Sequence, residues 1–281
     1  MEVVWLLLDA GADPNVRDSD GIPILIKSIQ LRAFGIFNAL LFHDADVDAT
    51  TNDGTTALIE AASSEQIFVM SLLERGALVN KKRNDSATAL IEALRARKEE
   101  NTILLVENGA DLEARRQDGA TALLICLEAR NEELVMLLVG KGANPNVSCN
   151  GRTPLTLAAD WGSEYIVNAL LDCEADVNGR DADGYSALMQ AAKNSNGDVA
   201  LLLARRGADI EAKNIKRTTP LMFAAWSECL TDWLIKHGVK CEETSTNGDR
   251  ASSIARSRKH RQIAEQLEEA IPTEEKKAMV S

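Results

Sequence analysis

Five cysteines, three histidines and 43 carboxylates are the groups in this chain with chemistry to offer. Nucleophilic catalysis needs a thiol or hydroxyl within reach of a base, and a metal needs several ligands at matched spacing. Cys126, Cys149, Cys173, Cys229 and Cys241 are odd in number and include no C-x-x-C pair. That pattern suits a reducing compartment better than a disulfide framework. His43, His237 and His260 lie far apart with no pair at ligand spacing, so neither metal nor cofactor is expected. The motifs G-x-S-x-G, G-x-x-x-x-G-K-S/T, H-E-x-x-H and G-x-G-x-x-G are absent. The carboxylates recur at regular places: Asp53, Asp118 and Asp183 precede turns, while Glu60 and Glu92 occupy matching slots. Recurrence of that kind serves a scaffold, and the chain is expected not to be an enzyme.

The elements that position these groups are copies of one unit. Gly21, Gly54, Gly119, Gly151 and Gly184 return about every 33 residues. Close behind such turns come TALIEAA from Thr56, TPLTLAA from Thr153, SALMQAA from Ser186 and TPLMFAA from Thr219. A second mark follows in most copies: Gly76-Ala77, Gly109-Ala110, Gly142-Ala143 and Gly207-Ala208. A fixed period in this range means stacked supersecondary units, each too small to bury its apolar face alone. Within one unit, Thr153 offers a capping hydroxyl and Pro154 needs no amide donor, so a helix starts there. Ile166, Leu170 and Leu171 give a second helix its apolar face. Glycine then permits the left-handed helix exit, and Asp183-Gly184 turns a short hairpin into the next copy.

Thr153-Pro154-Leu155, Ala158-Ala159, Leu170-Leu171 and Ala175-Asp176-Val177-Asn178, with Asp181 and Gly184, resemble the ankyrin repeat. The resemblance covers roughly residues 1 to 270 and implies an all-α-type repeat solenoid. Its units would be about seven to eight helix–turn–helix pairs with short β-hairpin loops, binding other proteins and performing no reaction. Residues 1–20 read as a partial first repeat, 252–270 as a C-terminal cap, and 271–281 as a polar, disordered tail. The histidine that usually follows Thr-Pro-Leu is missing: Ile59, Ile91, Leu124, Thr156, Met189 and Met222 take its place. The copy from Thr219 to Gly238 is two residues short between its helices. Glu2 to Leu8 reads as a second helix without a first. The expectation is therefore either a segment of a larger regulatory or targeting polypeptide, or an end covered by something else. The chain is read as a monomer unless that end self-associates.

In the ankyrin family the hairpin tips and the exposed ends of the first helices line a concave binding face. Matched copy by copy, that face receives Trp161, Tyr185 and Trp226, half of a complement of four Trp and two Tyr. Aromatic anchors dominate binding hot spots. Asp160, Asp183, Lys193 and Arg152 would form the polar surround. The competing reading is that Trp161 and Trp226 fold over their own helix ends. Asp176-Val177-Asn178 also resembles the turn context that asparaginyl hydroxylases modify, which would make Asn178 a substrate position.

The net charge is −12, and the last 32 residues carry +2 of it, leaving −14 on the rest. An acidic chain repels phosphate backbones, so no nucleic-acid partner is expected. A basic partner segment would instead gain in association rate. No run of 18 apolar residues exists to suggest a membrane span. Val3 to Leu8 lacks the basic flank of a signal peptide, so the expected location is cytoplasmic, with the nucleus as the alternative. The basic run from Arg256 to Arg261 reads as a solvated cap helix, with a nuclear address or a phosphate-binding patch as the alternative.

Overall fold

In the computed structural model, residues 2–225 and 227–271 are described. They form two compact units, Met1–Ala143 and Asn144–Ser281. In the first unit a lone helix α1 (Glu2–Asp9) is followed by four pairs. These are α2 (Ile24–Gln30) with α3 (Phe34–Phe42), α4 (Ala57–Ala62) with α5 (Gln66–Glu74), α6 (Ala89–Arg95) with α7 (Glu99–Glu107), and α8 (Ala122–Glu128) with α9 (Glu132–Gly140). The second unit holds four more: α10 (Pro154–Trp161) with α11 (Glu164–Asp172), α12 (Ala187–Lys193) with α13 (Gly197–Arg205), α14 (Pro220–Ala224) with α15 (Glu228–Lys236), and α16 (Ala251–Ser257) with α17 (Arg261–Glu269).

No helix in this series exceeds nine residues, whereas an isolated helix shorter than about 12 residues is marginal in water. Stability must come from stacking. In the second unit the first helices stack α10 on α12, α12 on α14 and α14 on α16, and the second helices α11 on α13, α13 on α15 and α15 on α17. The first unit repeats the arrangement, with α2, α4, α6 and α8 in one row. Ala158, Ala159, Ala191, Ala192 and Ala224 are buried along the first-helix row of the second unit, where only a small side chain permits close approach. Ile166, Val167, Leu170, Leu203 and Leu234 fill the space between the rows. In the first unit Phe37 and Phe68 meet edge to face at 4.9 Å in the equivalent layer.

The starts follow the sequence pattern. Hydroxyls of Thr56, Thr88, Thr153, Ser186 and Thr219 accept from the amide three residues on. The residues standing where the family places histidine, such as Ile59 and Met189, are buried. Thr156 uses its position to close a capping box with Thr153. Among the described residues five hairpins close with a single antiparallel bridge, including Thr50 with Thr56 and Arg180 with Ser186. A side-chain ladder joins neighbouring copies: Asn80 Oδ1 accepts from Asp111 N at 2.7 Å, Asn146 Oδ1 from Asp176 N at 2.7 Å, and Asn178 Oδ1 from Asp209 N at 2.8 Å. At the C-terminal end Ala255, Ile263, Ala264 and Leu267 are buried while Arg256 pairs with Glu268 at 2.6 Å, so α16 and α17 present a polar outer side.

Candidate functional site

The hairpin that opens each repeat faces the first helix of that repeat, and this geometry builds the site. In three copies a hairpin residue reaches the helix residue nine positions on. Asp18 pairs with Lys27 at 3.1 Å, Arg83 with Glu92 at 2.9 Å, and Asp181 accepts from Gln190 Nε2 at 3.0 Å. The fixed interval means that residues at these two slots define the face between hairpin and helix.

In the second unit that face carries Tyr185, just before the N-cap of α12. Asp181 holds the turn by accepting from the amides of Asp183 at 3.0 Å and Tyr185 at 2.7 Å. The Tyr185 ring is half-buried and lies 5.4 Å from the ring of Phe223 on α14 of the next repeat. The ammonium of Lys193, at the end of α12, stands 4.9 Å over the Tyr185 ring. A cation over an aromatic face at this separation is attracted by the ring quadrupole. Lys193, Ser195, Phe223, Arg258 and His260 line an open groove of about 690 Å³ beside it.

Of the residues expected on this face, the structure brings Tyr185 and Lys193 into contact. Asp160 is half-buried and accepts from Asn194 Nδ2 of the following repeat at 2.8 Å. Asp183 is exposed at the hairpin tip, where its carbonyl accepts from Ile215 N at 3.1 Å. Arg152 is exposed on the short hairpin bridged to Cys149. Trp161 ends α10 and is half-buried. Among the described residues no ring contact joins it to Tyr185. Trp226 lies outside the described residues. Asn178 is exposed, with its amide spanning Asp209 N and the Gly207 carbonyl.

Sequence reasoning missed Phe223, Arg258 and His260. Phe223 was within reach, since it occupies the helix slot that Glu92 and Gln190 hold in other copies. Arg258 and His260 looked like parts of a solvated cap, and only the stacking of α16 on α14 brings them to the groove.

The first unit offers a contrasting groove of about 270 Å³, lined by Arg83, Asp85, Ala87, Ile91, Glu92, Arg95, Arg116 and Gln117. Here cations and carboxylates answer each other. Glu92 is buried between Arg83 at 2.9 Å and Arg95 at 2.6 Å, and Arg83 also binds Asp85 at 2.7 Å. The Arg83 guanidinium beside Asp85 holds that carboxyl down at about 2, and Arg116 does the same for Asp118, also about 2. Burial pushes the Cys126 thiol up to about 12, far from nucleophilic use. Among the described residues no group of three His, Cys, Asp or Glu side chains could hold a metal. No helix in those residues is long and apolar enough to cross a membrane.

A family model for ankyrin repeats in sets of three copies matches residues 1–83, 31–116, 101–181, 131–214 and 188–274. The chain belongs to the ankyrin-repeat family, whose repeats mediate protein–protein interaction. It is 43% identical over 76 residues to neurogenic locus notch homolog protein 1 of Xenopus tropicalis, covering 27% of this chain and 3% of that protein. The equivalent Danio rerio protein is 43% identical over 72 residues, covering 26% of this chain and 3% of its own length. Alpha-latroinsectotoxin-Lt1a of Latrodectus tredecimguttatus is 39% identical over 83 residues, covering 29% of this chain and 6% of the toxin. The chain thus spans a few per cent of the length of the curated relatives it matches.

Proposed function

We propose that this chain is a non-catalytic interaction module that holds a protein partner on the hairpin and first-helix face of its second unit. The observation carrying this reading is Tyr185, kept half-open between Phe223 and Lys193 rather than sunk in the core. Large aromatic rings left at a groove and framed by polar groups are what interface hot spots are made of. Trp161 and Trp226 extend the anchor set, and Asp160, Asp183, Lys193 and Arg152 supply its polar surround. The net charge of −12 favours encounter with partners that present a basic segment somewhere on their surface.

Affinity capture from a native lysate tests this reading. Wild type is compared with a Trp161→Ala, Tyr185→Ala, Trp226→Ala variant whose helicity is checked by circular dichroism. A protein lost only from the variant supports the site; identical eluates refute it.

A second reading has its own support. The relatives carry their matching stretch as 3% to 6% of much longer polypeptides, and on that ground the alternative proposal is a regulatory or targeting segment of a larger protein. Sequencing the transcript upstream of Met1 decides that. No disulfide joins the five cysteines among the described residues, and their odd number supports a reducing location, the cytoplasm or the nucleus; imaging of a tagged chain checks it. We also place the protein as a monomer, with any self-association at the exposed Val3, Leu6 and Leu7 of α1. Sedimentation of a Leu6→Lys variant against wild type reads this. Hydroxylation of Asn178 is the remaining proposal, and a mass increase of one oxygen on the peptide containing it is the evidence required.

A further inference from the structure

We infer that the first unit holds a pocket for a small apolar monocarboxylate, at the joint between the α6–α7 repeat and the α8–α9 repeat. The site goes beyond the proposed partner face and uses none of its residues.

A side-chain amide closes two other joints of this kind, at the turn between the helices. Asn101 Nδ2 donates to Ala62 O at 3.0 Å and Asn196 Nδ2 to Ala159 O at 2.9 Å, each a carbonyl of the preceding first helix. Asn131 holds the slot of Asn196, ten residues after Thr121 as Asn196 is after Ser186. Its amide turns elsewhere. Nδ2 donates to Glu99 Oε1 at 2.6 Å, and Oδ1 accepts from Leu134 N at 3.0 Å. Among the described residues no carbonyl of α6 receives the Asn131 amide. Ala129 adds to the opening, because its slot carries Leu31 and Trp161 in other copies. The joint left unfilled is a cavity of about 200 Å³.

Leu94, Ile125, Cys126 and Leu134 give the cavity apolar walls. An apolar cavity of about 150 Å³ holds a benzene ring, so this one takes roughly six carbon atoms and a polar head. Drug-sized ligands need about 300–1,000 Å³, which sets the occupant below a nucleotide in size. The Cys126 thiol, pushed up to about 12 by burial, stays protonated, so the ligand is held reversibly. Charge selects the head. Exposed Arg97 and half-buried Lys98 line the cavity, and neither has an ion-pair partner among the described residues. Glu99 is the one carboxylate in the described lining, and it already accepts from Asn131. Two cations against one engaged carboxylate favour an anionic head over an ammonium.

Carbon-13 methyl NMR of the whole chain tests this with hexanoate, using hexylammonium and hexanol as matched probes and Ile125→Val to assign the Ile125 signal. Hexanoate is expected to move the Ile125 and Leu134 methyls saturably, with a Kd of about 1 mM for a ligand of this size. An Arg97→Gln, Lys98→Gln variant should weaken hexanoate by about threefold or more and leave hexanol unchanged. Ala129→Leu, which brings the residue of another copy to an exposed position, should abolish the shifts. The charge variant carries the measurement if Ala129→Leu does not fold. The inference falls if hexanoate leaves those methyls in place, if hexylammonium or hexanol binds as tightly, or if the shifts survive in a folded Ala129→Leu protein. Its failure leaves the Tyr185 face standing, because that reading draws on no residue of this joint.

Discussion

Asn101 tests what holds neighbouring repeats in register. It is the third residue of α7 and 2% exposed. The same slot in other copies holds Phe68, Leu134, Ile166, Val199, Leu230 and Ile263. An apolar residue there packs between the helix rows, so a buried amide needs partners. Asn101 Nδ2 donates to Ala62 O at 3.0 Å and Ser64 O at 3.2 Å, carbonyls at the end of α4 one repeat earlier. A helix end leaves its last carbonyls without intrahelical partners, and Asn101 supplies the missing donor.

Two substitutions separate packing from hydrogen bonding. Asn101→Leu restores the residue type of the other copies and keeps the branched, four-heavy-atom side chain, but orphans the two carbonyls. Leaving a buried acceptor unsatisfied costs about 1–3 kcal/mol. Asn101→Ala adds a small cavity to that loss, so about 2–4 kcal/mol is expected. The assay is urea unfolding followed by circular dichroism, with hydrogen exchange at Ser64 and the end of α4 as the local probe. Both variants should shift the midpoint down and speed exchange there. An Asn101→Leu protein as stable as wild type would refute the argument, because packing alone would then explain the site.

Gly162→Ala should cost about 2 kcal/mol or more in the same urea assay. Its φ is +85°, and an added Cβ would stand 2.7 Å from Asn196 Oδ1, displacing the amide that donates to Ala159 O at 2.9 Å. The slot tolerates Arg97, Arg130 and Ser195 in other copies at φ of +55° to +62°, so removing the obstacle with Asn196→Ala should recover part of the loss. His43 donates to Ala39 O at 2.9 Å and lies 3.0 Å from Asp9 of α1, and both contacts raise its pKa above 6.5. A raised folded value means the tether to α1 is complete below pH 6.5 and weakens as pH rises through that higher value. Proton NMR of His43 should show a midpoint above 6.5 that drops in Asp9→Asn; an unshifted midpoint would remove the tether. Asp85 and Asp118 run the other way, because each is held at about 2 against an ordinary 3.8. Their contribution is present above pH 4 and fades between about pH 4 and pH 2. Arg83→Lys, which cannot offer a forked pair, should move the Asp85 titration toward 3.8 by carbon NMR while leaving Asp118 in place.

Much of the fold was legible because the same residues recur. The capping hydroxyls of Thr56, Thr153 and Thr219, the left-handed Gly76 and Gly142, and the buried alanines of the first helices all stand where the period puts them. What the period could not show is where one copy departs from it for the sake of a neighbour. Asn101 looks like a polar residue out of place, until the carbonyls at the end of α4 are seen beside it. Phe223 sits in a slot that other copies fill with Glu92 or Gln190, and its meaning appears only against Tyr185 of the preceding repeat.

Charge shows the same limit from the other side. A net of −12 describes the average surface, and by itself it points to basic partners. Local sign depends on which carboxylates are already engaged. In the first unit Asp85 and Glu92 stand among the arginines and pair with Arg83 and Arg95. In the second, Asp160 and Asp181 are tied to amides, and no described carboxylate lines the groove of Lys193 and Arg258. Glu92 and Phe223 fill equivalent helix slots, as do Arg95 and Lys193, so one groove has a carboxylate where the other has an apolar ring. An average charge mainly sets how fast partners arrive, and it does not fix which side chains a partner would meet in either groove.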